Sequence, residues 1–488
     1  MFKRTAVTGV LLCAALVTAA QAQSDVERVR DEALKPSALG ENLRRLTDEI
    51  GGRVPGTPAM DQAIQWAVDA FRATGADSVH REDFSMPVAW SEGATQVEVV
   101  APVRFRVRAV SMAWSPPTRG VVRARVVDVG QGSPAELAKA TDVRGALLLV
   151  RSEPMRTWAD LFGEYLRAPA IVETAVRGGA AGIAYISTRE HDLLYRHINI
   201  SDGNVDRLPM VQLAREDGLR IARLLEAGKK VEVEFSLPNR VGPGFTTANV
   251  VAEIRGREQP QEFVVLGAHL DSWDLGTGAL DNGCNAALVV DVLRAIKASG
   301  VRPRRSIRFI LFSGEEQGLL GSKAYAAAHR AELDNAVAAV IFDTGIGEVT
   351  GFSLGGRKDV VAAAERMVAP FREWDAATLT TDAFVGTDNF DFLLEGVPTL
   401  VANQKEANYL VNYHASSDTF DKVDLDRLKK HVAIAAGVTF AIADAEERVG
   451  PRQSRAEVEQ LLRESGLEQQ MKTFGLWADW EAKRRGRQ

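Results

Sequence analysis

The order of apolar and polar runs predicts an α/β protein with a mostly parallel, twisted sheet. Three observations carry that expectation. After Pro243 the chain alternates strand-like and helix-like runs: 263–268, 284–298, 307–312, 317–329 and 337–342. A stretch near 119–238 has a strand and helix pattern of its own, closed off by Pro238, Gly242 and Pro243-Gly244. Acids and histidines of the second half fall mostly at the ends of apolar runs, where open parallel sheets place ligand sites.

The elements follow in order along the chain. Met1-Phe2-Lys3-Arg4 is a basic start, 5–19 is small and apolar, and Ala20-Gln21-Ala22 offers a small-x-small cleavage pattern. Such a segment predicts export, cleavage after Ala22, and a periplasmic or secreted protein. The apolar run is short for a membrane span and no stop-transfer pattern follows, so no stable membrane insertion is expected. Leu12 before Cys13 argues against lipoprotein processing. Losing residues 1–22 removes Lys3 and Arg4 and no acid, moving the formal charge from −6 to −8. An acidic chain of this kind gains nothing from counterion release, so no nucleic-acid partner is expected. Cys284 is then the only cysteine, so stability must come from core burial, which 488 residues in more than one domain can supply.

Residues 39–50 and 58–74 read as helices, the second with Met60, Ala63, Ile64, Ala67 and Phe71 at helical spacing. Thr57 is its expected cap, with Pro58 in the first position. From Gln96 to Val127 the pattern turns to strands. Within 119–238, strands are expected at 145–150, 182–186, 209–211 and 231–235, and helices at 168–177 and 216–227; nothing there looks catalytic. A helix over 425–448 closes the alternating region. Residues 451–488 read as a polar helical tail whose basic end, 483–487, is solvated. The predicted division is 1–22, then 23–118 with 239–450 as one discontinuous domain, 119–238 inserted, and 451–488.

The chemistry lies in His269, Asp281, Glu316, Asp343 and His414, with Glu315 beside Glu316. Two histidines and three carboxylates suit a pair of zinc ions if one carboxylate bridges them. Strand alternation puts Asp271 on the same side as His269, so its carboxylate is expected to hydrogen-bond the ring nitrogen that faces away from metal. Asp281-Asn282-Gly283 precedes a helix, and alone would be a cap. Glu315-Glu316 is expected to open a helix, with one side chain on metal and its neighbour free to move a proton. Asp343 alone at a strand end would be a turn former. Cys284 reads as a small buried residue, and His80, His191, His197, His329 and His431 as ordinary surface or core histidines.

The ordered set H-x-D, D-N-G, E-E, D-x-G and Y-H-x-x-x-D-T resembles the co-catalytic zinc aminopeptidase family. The run 267–274 followed by 276–281 is most like its carboxypeptidase Q branch. Gly51-Gly-Arg-Val-Pro-Gly-Thr57, Gly386-Thr-Asp388 and Gly396-Val-Pro398 add to the likeness, and 119–238 resembles a protease-associated domain. The resemblance implies a zinc-exopeptidase three-layer sandwich with a β-rich protease-associated insertion, two Zn2+ per chain, and hydrolysis of dipeptides or short peptides at a terminus. It implies that His269 and Asp343 bind one zinc, that Glu316 and His414 bind the other, and that Asp281 bridges. Glu315 becomes the general base, Asp271 orients His269, and Tyr413 steadies the oxyanion. Trp273, Thr387, Asp388 and Asn389 become pocket residues for the peptide. Asn282 and Cys284-Asn285 depart from the branch pattern. Two other expectations share this fold: a single-zinc glutaminyl cyclase type of acyltransferase, and a catalytically dead receptor-like ectodomain. A homodimer is left open, since no stretch marks an interface.

Overall fold

A computed structural model of the protein describes residues 25–488. The expected targeting segment, its cleavage site and Cys13 lie outside the described residues. Eight strands form the larger sheet, in the spatial order Ser78–Met86, Phe245–Ile254, Arg305–Phe312, Gln259–His269, Ala336–Ile341, Thr399–Gln404, Val349–Ser353 and Thr378–Thr380. The four central strands run parallel, and antiparallel pairings appear towards both edges. Central strands read as continuous apolar runs because both of their faces are covered. Val264, Leu266 and Ala268 pack with the helices Pro58–Ala73, Cys284–Ser299 and Leu425–Asp444. Phe263 and Val265 point the other way, to Tyr325 and Phe392. The result is a three-layer α/β sandwich. Thr57 caps the Pro58 helix as expected, its hydroxyl accepting from the Met60 amide at 3.3 Å.

A second eight-stranded sheet runs Phe105–Val107, Gln96–Ala101, Glu232–Ser236, Val122–Asp128, Leu147–Val150, Gly182–Ile186, Met210–Leu213, Ala109–Ser111. Three of its strands precede residue 119 and so lie on the far side of the division drawn from sequence. Gly120, at φ 72°, sits in the connection between strands of this one sheet. Its turn signal therefore marks a corner inside the unit.

Two local expectations are corrected. The helix expected from Gln317 starts at Leu320, so Glu315 and Glu316 sit in turns before it. Gly318 has φ 115°, and a Cβ there would stand 2.1 Å from the carbonyl oxygen of Ser201, which stops a helix from running through. The C-terminal region is helical, at Arg455–Glu464, Leu467–Thr473 and Trp477–Glu481, but it is no solvated tail. Val458, Leu462, Met471 and Trp480 bury against Phe390 and Leu394. Arg485 is 2% exposed, and its guanidinium donates twice to Asp391 at 2.7 Å. The paired carboxylate outweighs the desolvation that keeps an unpaired arginine outside. Among the described residues no helix is long and apolar enough to cross a membrane.

Candidate metal centre and active site

Adjacent parallel strands deliver the first groups at their carboxyl ends. His269 ends its strand, Asp343 follows the neighbouring strand by two residues, and Glu315-Glu316 follow the strand on the other side. His269 Nε2 lies 2.9 Å from Asp343 Oδ1 and 3.2 Å from Asp281 Oδ1. His414 Nε2 lies 2.9 Å from Glu316 Oε2 and 3.3 Å from Asp281 Oδ2. Asp281 thus gives one oxygen to each triplet, and the ligand atoms of each triplet fall within 4.8 Å of one another.

Asp281 is not the helix cap it resembles. Gly283 immediately precedes the helix Cys284–Ser299, which no side chain caps, and the amides of Ala279, Leu280 and Asp281 donate to the Asp418 carboxylate at 3.1, 2.6 and 3.1 Å. Arg53, fully buried, donates to the carbonyls of Leu270, Thr277 and Gly278 at 2.7, 2.7 and 2.8 Å, tying down the loop between His269 and Asp281. The Asn282 amide donates to Asp343 Oδ1 at 2.9 Å and is itself braced by Asn285 at 2.6 Å. Asn282 and Asn285 therefore steady a candidate ligand, Asp343. Cys284 is buried, as expected.

The donor set fits divalent metal. Asp281 Oδ2 and Glu316 Oε1 are buried without a hydrogen-bond partner, a costly state that a cation would relieve. Burial raises Glu316 to about 7. Burial would lower His414, yet Glu316 and Asp281 hold it up to about 9. His269 likewise stands well above its ordinary value, burial being outweighed by Asp343, Asp271 and Asp281. These groups share protons where a cation would sit. Glu315, half-buried at the cavity face, is pushed well above the carboxylate range by desolvation.

Asp271 takes a different part from the one expected. The Nδ1 atom of His269 faces the Asp271 carbonyl oxygen at 3.0 Å, while the carboxylate stands off at 3.7 Å. That carboxylate instead accepts from the amides of Glu315 and Glu316, each at 3.3 Å. The strand ends at His269, so alternation no longer governs where Asp271 points. Tyr413 stacks its ring on His414 at 3.6 Å between centroids, and its hydroxyl meets that of Tyr165 at 2.8 Å.

A cavity of about 1080 Å³ opens onto both triplets and Glu315. Thr387 lines it, but Trp273, Asp388 and Asn389 do not. Asp388 and Asn389 are buried, and Trp273 stands edge-on to His414 at 5.8 Å beside a narrow space behind Asp281. The opposite wall is Trp158, Leu161, Phe162 and Tyr165, from the helix Trp158–Gly178 of the second unit, with Phe474 and Leu476 from the C-terminal helices. Sequence reasoning missed this wall, since an apolar helix face carries no signal of what it overlooks. It also missed Arg189 and Arg196, both buried, which contact the His414 loop: Arg189 donates to the Tyr413 carbonyl at 2.8 Å.

Residues 249–450 match the family described as Peptidase family M28. Carboxypeptidase Q of Rattus norvegicus is 28% identical over 412 residues, 83% of this chain and 85% of that one. The crystal structure of a peptidase M28 precursor from Shewanella amazonensis SB2B superposes with a TM-score of 0.81 at 26% identity, covering 88% of this chain and 99% of that one. A zinc aminopeptidase of Bacillus subtilis shares the fold, with a TM-score of 0.66 at 18% identity over 85% of this chain and 96% of that one.

Proposed function

The chain is a metallopeptidase whose residues 249–450 match peptidase family M28, and from that premise we propose an exported exopeptidase with two zinc ions. In this reading it hydrolyses peptide bonds at a terminus of dipeptides or short peptides. One observation carries it: two triplets of buried ligand atoms share Asp281 and face one cavity. His269 and Asp343 would hold one ion, Glu316 and His414 the other, with Asp281 between them. Bound zinc would supply Lewis acidity to the peptide carbonyl and make the attacking water more acidic.

The remaining steps belong to the chain. Glu315, at the cavity beside both triplets, takes the proton from the attacking water and delivers it to the departing amine. The Tyr413 hydroxyl, steadied by Tyr165, is placed at the cavity to donate to the carbonyl oxygen as it gains charge. Asp271 holds the Glu315-Glu316 turn through both amides. A cavity of about 1080 Å³ is at the upper end for small-molecule sites, which suits a dipeptide or short peptide better than a folded protein. Its aromatic wall favours an apolar side chain beside the scissile bond. Export is supported by the basic, apolar and small-residue start of the sequence.

The test is a zinc count per chain together with a panel of dipeptides and blocked dipeptides, before and after chelation. Two ions and chelator-sensitive hydrolysis are expected. A fully zinc-loaded protein that leaves every peptide intact would sink the reading. One ion with cyclisation of amino-terminal glutamine would favour the acyltransferase instead.

A further inference from the structure

The two histidine ligands are oriented in different ways. His269 relies on the carbonyl of Asp271, two residues along its own loop. His414 relies on the second unit. Its Nδ1 faces the Arg196 carbonyl at 3.0 Å, while the Arg196 amide donates back to the His414 carbonyl at 2.8 Å. Tyr195 bridges Ala415, and the Ser416 amide donates to the Leu194 carbonyl at 3.0 Å. Residues 194–196 thus form a short antiparallel contact with 414–416. His414 sits at φ 57°, a left-handed conformation that costs energy for a non-glycine residue and persists only where its surroundings fix it.

The Arg196 side chain extends the same clamp to the other ligand loop. Its guanidinium is fully buried, donates to Glu92 at 2.7 Å and Asp274 at 3.1 Å, and also meets the Ser111 carbonyl. Trp90 lies beneath it at 5.5 Å. Asp274 belongs to the loop that joins His269 to Asp281. One residue therefore grips the His414 loop with its backbone and the His269–Asp281 loop with its side chain. A buried cation costs several kcal/mol to desolvate even when paired, so holding register between units is a sufficient reason for it to be there.

We propose that Arg196 is a positioning residue through which the second unit sets metal affinity in the Glu316–His414 half of the site. With Nδ1–H given to the Arg196 carbonyl, His414 presents the lone pair of Nε2 towards Glu316 and Asp281. Loosening the clamp frees the imidazole and weakens that half, while the His269–Asp343 half keeps its own carbonyl. The inference rests on the two-ion reading above.

The test measures zinc binding to the full-length protein by competition with a chromophoric chelator, in wild type, Arg196→Met, Arg196→Lys and the isosteric double variant Glu92→Gln/Asp274→Asn. Arg196→Met is expected to keep one ion and bind the second up to about 10-fold more weakly, the lower end of the loss for removing an outer partner, because the carbonyl remains but its residue is no longer clamped. Arg196→Lys should fall between, since an ammonium reaches fewer of the partners. The double variant leaves the guanidinium buried without its two carboxylates and should weaken the same ion; if it or Arg196→Met does not fold, the charge-keeping Arg196→Lys carries the test. A wild type holding fewer than two ions would overturn the two-ion reading itself. A two-ion wild type with unchanged second-ion affinity in the folded variants would overturn only the role of Arg196, leaving it a structural clamp between units.

Discussion

The His269 half of the site and the His414 half have the same donor types and nearly the same distances, yet they are built differently. His269 and Asp343 hang from neighbouring strands of one sheet, and the groups that meet their own side chains, the Asp271 carbonyl and the Asn282 amide, belong to the unit built on that sheet. His414 hangs from a loop whose conformation is fixed by a unit more than 200 residues earlier in the chain. The first half is a product of sheet topology and the second a product of docking.

Several changes would break or sharpen that contrast. Glu315 belongs to neither half, so Glu315→Ala should leave both ions in place and lower kcat by about 10²–10⁴-fold, the share of a positioned general base. Zinc content and turnover measured on the same sample decide it; full turnover with metal bound removes Glu315 from its role. Next, His414→Ala and His269→Ala should each cost one ion. The contrast predicts that His414→Ala also frees the 194–196 contact, seen as faster amide exchange there, while His269→Ala leaves that contact protected. Equal protection in both variants would erase the difference between the halves.

Acidity supplies a third measure. His414 without metal stands at about 9, so below that pH an ion must displace its proton. Affinity in this half should rise by up to about tenfold per pH unit between 7 and 9, with proton release detectable in weak buffer. An affinity flat across that range would show that His414 is already neutral. The smallest effect is expected at Tyr165→Phe, which removes a single 2.8 Å bond to Tyr413. About fivefold in kcat/KM, with zinc content unchanged, matches one hydrogen bond. A fall in zinc instead would mean that Tyr165 supports the metal rather than the substrate.

The same contrast explains what sequence alone reveals. His269, Asp343 and Glu316 are legible because strand ends of a parallel sheet are predictable positions, and polar residues stand out after apolar runs. The bridging place of Asp281 is legible only through the family motif, since by itself the triplet mimics a cap. The Asp271 carbonyl, and not the expected carboxylate, meets His269, because alternation stops where the strand stops. Arg196 and Tyr165 carry no local mark: an arginine between a tyrosine and a histidine, and a tyrosine on an apolar helix, read as ordinary. Their significance comes from contacts 218 and 248 residues away, which one sequence without relatives does not encode visibly. The basic end differs from its expected solvated state for a related reason, as the buried partner of Arg485 lies at Asp391, 94 residues earlier.

That last pairing has a consequence in time. Phe474 and Leu476 form part of the cavity wall, and they are fastened by a segment that ends at the Arg485–Asp391 pair. All five candidate metal-ligand side chains have been made by residue 414, some seventy positions before that fastening exists. During synthesis the chain therefore passes through a stage with its ligands present and one wall still missing.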